Sequence, residues 1–263
     1  MMEMMAVATA DNGDSIWDVN DTYGLATNPD WLVDSLTYSC GEQIVKKDED
    51  GNFAFALNTQ RAHSVFEKIQ ALVTSSDTYL YPMDKGFAEF DPSVAINIST
   101  GRCLFDITTV RLFNLHKDVE HEFGVLPYPK YDEVQDDYIS LDWTGLMCAP
   151  LVAEDHDIIG EVMELYAYYS SEEVLPAYYD IVLGDKLSRD PESRDMLDLI
   201  FDGIVFDAGM NYFGFSASVG GFRNLPASFA NGTITSYATF LGANEEAAIA
   251  ELDAFNEGVA GLE

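Results

Sequence analysis

Basic side chains are scarce in this chain of 263 residues: 13 Lys and Arg stand against 46 Asp and Glu, a formal net charge of −33. Gripping a phosphate backbone requires Lys and Arg to release counterions, so the composition argues against nucleic acid as a partner. It equally disfavours anionic membrane surfaces and strongly anionic ligands. Cysteine is rare as well. Cys40, Cys103 and Cys148 lie far apart with no CxxC pair, and the four scattered histidines complete no zinc or redox motif. All three cysteines read as small buried hydrophobes, and the odd number leaves at least one thiol free.

No run of about 18 apolar residues occurs, so no segment reads as membrane-spanning. The opening, MMEMMAVATADNGDS, lacks the basic n-region and apolar core of a signal peptide, and the small-residue-then-Cys lipobox of an anchored lipoprotein. Also missing are GxSxG, a P-loop, GxGxxG, HExxH and any kinase signature. KKDEDGNFAFAL approaches a calcium loop, but Phe53 stands where the EF-hand needs glycine. Carboxylates are so abundant that choosing a glycosidase pair among them would be arbitrary. The reading is therefore a non-enzymatic protein with no cofactor and no metal.

What is present belongs to a folded protein: 48% hydrophobic and 13% aromatic residues. Residues 1–16 carry no periodic pattern and read as a ragged polar entry. Asp50-Gly51 marks a hairpin turn leading into a strand. From Thr59 to Val73, apolar Ala62, Val65, Phe66, Ile69, Leu72 and Val73 follow helical spacing behind a cap at Asn58 or Thr59. Gly101 to Phe105 reads as a buried strand, followed by a helix from Thr108 to Leu115.

The stretch EFGVLPYPKYDEVQDDYISLDWTGLMCAP, Glu122 to Pro150, reads as a strand over Phe123–Leu126 and a rigid polar crossing stiffened by Pro127 and Pro129. A second strand then runs towards Pro150. Helices dominate afterwards. The first is capped by Asp155 or Asp157, with Ile158, Ile159, Val162, Leu165, Tyr166 and Tyr169 on its face. The second has Pro176 in its first turn and a stop at Gly184. A third runs from Asp190, its cap, through Pro191 to Gly203, burying Met196, Leu197, Leu199 and Ile200. The last is capped by Asn244, with Ala248, Ile249, Leu252 and Phe255 inward. The tyrosines at 166–169 and 178–179 sit on helical periodicity and read as core.

A sugar offers apolar C–H faces and a rim of hydroxyls, so binding one calls for an aromatic platform beside carboxylate and amide groups. Trp143 with Asp142 is the first candidate pair; Trp17 with Asp18 and Asn211 with Tyr212 come next. Each aromatic has a competing role as a packing residue.

FGVLPYPKYDEVQDDY, together with VLPAYYDIVLGDKLSRDPESRDMLDLIFDG from Val174 to Gly203, resembles the extracytoplasmic solute-binding proteins of carbohydrate ABC importers, a Firmicutes-type group. The resemblance covers most of residues 17–215. It implies an α/β, type II periplasmic-binding-protein-like fold whose two lobes trap a carbohydrate and deliver it to ABC permease subunits. It further implies a monomer, extracellular and anchored to the cell surface in the full-length protein. By analogy, residues 1–20 form an entry and 21–140 the first part of a C-terminal lobe. Residues 141–187 supply a hinge strand and helices of the N-terminal lobe, and 188–263 return to the C-terminal lobe. In the family a long N-terminal lobe precedes the region matched here, so most of that lobe is expected to be missing. Helices at 155–187 should then expose a large apolar surface, and sugar should bind weakly or not at all. The alternatives are a secreted carbohydrate-active hydrolase and a surface adhesion or scaffold module.

Overall fold

A computed structural model describes residues 1–28, 33–80, 96–110, 122–142, 147–179 and 191–260. In chain order these form α1 (Met2–Ala8), β1 (Tyr23–Thr27), α2 (Ser35–Ser39), β2 (Val45–Lys47), β3 (Phe53–Phe55), α3 (Gln60–Val73) and β4 (Thr78–Leu80). Then come β5 (Cys103–Ile107), β6 (Ser140–Leu141), α4 (His156–Tyr169), a π-helical turn (Ser170–Val174) and α5 (Leu175–Ala177). The remainder is α6 (Pro191–Asp202), β7 (Ile204–Val205), α7 (Ala208–Asn211), α8 (Val219–Arg223), α9 (Leu225–Ala230) and α10 (Tyr237–Ala260). This is an α/β protein with small sheets.

Three parallel strands in the order β4-β1-β5 make the first sheet, and every residue of the central β1 is buried. A strand flanked on both edges and covered on both faces favours apolar residues, and YGLAT meets that demand apart from Thr27, whose buried hydroxyl donates to the Asn28 carbonyl. One cover is α1, whose Met5 is fully buried. A Cβ on Gly24 would overlap Met5, so glycine is what lets this helix lie directly on the strand. The N-terminus is thus a core element, unlike the ragged entry its irregular pattern suggests. One buried side chain in a short helix leaves no periodicity to detect.

β2 and β3 form the expected antiparallel hairpin around Gly51, which takes a φ of 88°. Asp48 accepts from the backbone N–H of Asp50 and Asn52, closing the turn. The outer edge of β3 is completed by Asn256 of α10, whose side-chain amide both accepts from and donates to the Phe53 backbone. β6 and β7 pair in parallel, Ser140 opposite Ile204 and Leu141 opposite Val205.

α3 follows its sequence pattern closely. Thr59 caps it through Oγ1 at 3.0 Å from the Ala62 nitrogen, and all six expected apolar residues are buried. Its Phe66 stacks on Tyr237 of α10, with ring centroids 4.4 Å apart, and the Tyr237 hydroxyl donates to the Leu57 carbonyl. The principal core therefore runs from Met5 to Leu252 and joins α1, α3, the hairpin and α10.

Several expectations are corrected. Phe123–Leu126 is not a strand: Val125 is buried, but its N–H donates to the Ser193 hydroxyl of α6 instead of to a ladder. The prolines that follow remove ladder donors and leave the segment irregular. Among the described residues the second strand is limited to Ser140–Leu141, and 147–150 carry no strand. α10 begins seven residues before Asn244, whose amide donates to the Phe240 carbonyl inside the helix and caps nothing. Leu199 and Ile249 are exposed, while Leu197, Ala248 and Leu252 are buried as read. Cys148 is exposed and Cys103 half-buried, so only Cys40 behaves as a buried hydrophobe. Burial pushes its thiol up to about 11.

α4 is capped by Asp155, which accepts from the Ile158 nitrogen. None of its side chains is buried, and Tyr166, Tyr168 and Tyr169 face solvent instead of a core. Over the described part, 155–179, this is the apolar exposure expected. The helical path continues through the π turn into α5, which absorbs Pro176 where a regular helix interior would lose a bond. Gly184, the cap at Asp190 and most of the helix read over 108–115 lie outside the described residues.

Candidate functional site

The parallel pair β6 and β7 directs two sequence-distant polar residues to one place. Ser140 N–H donates to the Gly203 carbonyl at 2.9 Å, and Asp142 N–H to the Val205 carbonyl at 3.1 Å. These two bonds hold Asp142 at the carboxyl end of β6. From β7 the chain passes through Phe206 to Asp207, whose carboxylate caps α7 by accepting from the Met210 nitrogen. One turn later Asn211 returns its side-chain N–H to the Asp142 carbonyl, 3.4 Å away. Its Oδ1 is buried and meets no donor among the described residues, as does the hydroxyl of Ser140. The carboxyl ends of parallel strands are where α/β proteins place ligands.

Aromatic residues stand close to this junction along the chain. Tyr212, 59% exposed, lies edge-on to Phe213 and Phe255 at centroid distances of 5.0 and 5.1 Å. Phe206 and Phe215 are also exposed, and the Arg223 guanidinium sits 5.0 Å from the Phe215 ring centroid. Beneath the site Asp34 and Arg223 form a buried ion pair, Oδ2 to Nε 3.7 Å. The Tyr38 hydroxyl donates to Asp207 at 3.4 Å. Burial raises the Asp207 carboxyl to about 6, its cap bonds only partly offsetting the lost hydration. Burial and the Asp207 charge likewise push the Tyr38 phenol far up. Tyr38 is thus a fixed donor and Asp207 a strained acceptor, which stiffens the start of α7.

Of the sequence candidates, Asp142 and Asn211 meet, with Tyr212 adjoining them. Trp143 lies outside the described residues. Trp17 and Asp18 occupy a different setting, beside the amino end of β1. Trp17 is 55% exposed and meets Tyr23 edge-on at 5.8 Å. Asp18 accepts from the Asn20 nitrogen and donates its own N–H to the buried Asp21 carboxylate. Those contacts serve a loop, so this pair is not part of the Asp142–Asn211 junction. Sequence reasoning missed Phe206, Asp207, Phe215, Tyr38 and Arg223. Only Asp207 carried a usable signal, as a cap residue at the start of a short helix; the others are ordinary members of an aromatic-rich chain.

Among the described residues no group of three or more His, Cys, Asp or Glu side chains has the arrangement to hold a metal ion. No helix among them is long and apolar enough to cross a membrane. No protein-family model matches the chain, and no curated protein matches it in sequence.

Proposed function

We propose that this chain is a non-enzymatic carbohydrate-binding module of the solute-binding type, delivering its ligand to the permease subunits of an ABC importer. The observation that carries the reading is the meeting of Asp142 and Asn211 at the carboxyl ends of β6 and β7, beside the exposed Tyr212 ring. Asp142 and Asn211 are the residue types that pair with sugar hydroxyls, and the open Tyr212 ring is a C–H platform, the two things a pyranose needs. The resemblance of the segments at 123–138 and 174–203 to carbohydrate importers points the same way, and its finer implication is a two-lobed, type II binding-protein fold closing on ligand.

The test is protein-observed NMR against a panel of neutral oligosaccharides. Binding is expected to be weak, on the order of millimolar, because Tyr212 offers its ring on an open surface. Signals from Asn211 and Tyr212 should shift in a saturable way with at least one sugar. Tyr212→Ala should weaken that binding about tenfold with little change in stability, as befits a side chain more than half exposed. Absence of any saturable shift at these residues across the panel would overturn the reading.

A further inference from the structure

α4 carries an apolar stripe that the described residues leave exposed. Ile158, Val162, Leu165 and Tyr169 recur at i, i+4, i+7 and i+11, and are 57%, 58%, 55% and 53% exposed. That spacing places all four along one line of a helix, the pattern by which one helix seats against another. One residue earlier in each of the first three steps stand Asp157, Glu161 and Glu164, all exposed, roughly 100° round the helix. They make an acidic ridge parallel to the stripe. Ile159 and Met163, on the opposite flank, are half-buried and turn that side towards the molecule. Glu172 and Glu173 continue the acidic character into the π turn. From residue 147 to 179 there is no Lys or Arg.

We propose that this stripe and ridge form a docking surface for a basic amphipathic helix of another polypeptide. Its apolar side chains would lie along Ile158, Val162, Leu165 and Tyr169, and its Lys and Arg would meet Asp157, Glu161 and Glu164. The charges choose this occupant over two others. A second copy pairing through the same face would set acidic ridge against acidic ridge, in a chain whose formal charge is already −33. An anionic lipid surface would be repelled by the same ridge. A helix with an apolar seam and cationic margins satisfies both halves of the surface. The inference does not rest on carbohydrate binding, since the stripe belongs to α4 and the sugar-binding residues to β6, α7 and the segment after it.

The test uses the full chain and three labelled synthetic peptides, read by fluorescence anisotropy at physiological ionic strength. The first is a Leu/Lys helix with leucines along one face; the second has the same composition scrambled to abolish that face; the third is the Leu helix with Glu in place of Lys. The Leu/Lys helix should bind about tenfold tighter than its scrambled form. The double variant V162E/L165E should weaken that binding about tenfold, although it adds two negative charges to an attractive surface. Glu161→Lys with Glu164→Lys should weaken the Leu/Lys helix and strengthen the Leu/Glu helix, which an unfolded variant could not do. Equal binding of the scrambled peptide, or tighter binding by V162E/L165E, would show diffuse charge attraction and overturn the proposal. A wild-type dimer in light scattering that V162E/L165E dissolves would assign the face to a second copy and overturn it equally.

Discussion

At residue scale, Asp207 shows how one side chain can serve position and lose stability by it. It is 1% exposed, caps α7 and receives the Tyr38 hydroxyl, yet burial raises its pKa to about 6 from an ordinary value of 3.8. An acid raised on folding binds its proton more tightly in the native state than in the unfolded one. Its contribution to stability is therefore fullest below the unfolded value and declines as pH rises through about 6. Asp207→Asn retains a cap oxygen and removes the ionisation. The variant should be more stable than wild type at pH 8, by on the order of 3 kcal/mol, with the difference closing towards pH 4. Urea denaturation of both proteins across that range checks the sign. A difference independent of pH would mean that folding leaves the Asp207 pKa at its unfolded value.

At the scale of elements, the helices divide by whether their amphipathic face finds a partner. α3 has one: its six buried apolar side chains meet α2, α9 and α10, and its Thr59 cap holds the first turn. Thr59→Ala should cost about 1 kcal/mol, visible as a lower urea midpoint with an unchanged slope. α4 has a comparable pattern and a comparable cap at Asp155, but its stripe remains in solvent. The two helices look alike in sequence, since periodicity reports that a face exists and not what covers it. For the same reason the tyrosines at 166–169 read as core, while the structure leaves Tyr166, Tyr168 and Tyr169 exposed. In β3 the missing neighbour is supplied by Asn256, a side chain from 203 residues away that no strand pattern announces.

For the whole molecule, the excess of 46 acidic over 13 basic residues acts as self-repulsion within the compact state. Raising ionic strength from about 0.01 M to about 0.15 M shortens the screening length from roughly 30 Å to roughly 8 Å. The melting temperature should rise by at least roughly 2 °C, the equivalent of ~1 kcal/mol in a chain of this size. Calorimetry in sodium chloride provides the measurement. A flat response would mean that local pairing, as between Glu42 and Arg61 at 3.0 Å, already neutralises the unfavourable field.

What the sequence by itself determined is local. The Asp50-Gly51 turn, a cap at Asn58 or Thr59 and one at Asp155 or Asp157, the helix ending at Gly203 and the six core residues of α3 follow from interactions within a few residues of each other, and these are written in consecutive letters; the structure selects Thr59 and Asp155. Only the residue types of Asp142, Asn211 and Tyr212 were legible in the same way, as side chains suited to a proposed sugar site wherever they lie. That Asn211 would reach the Asp142 carbonyl, while Trp17 and Asp18 would serve a loop at the far end of β1, was decided only by the tertiary structure. So were the burial of Met5 against Gly24 and the exposure of the α4 stripe. Each depends on which surfaces the folded chain brings into contact, and contact between distant segments is set by the joint burial of the whole core, not by any segment's own pattern.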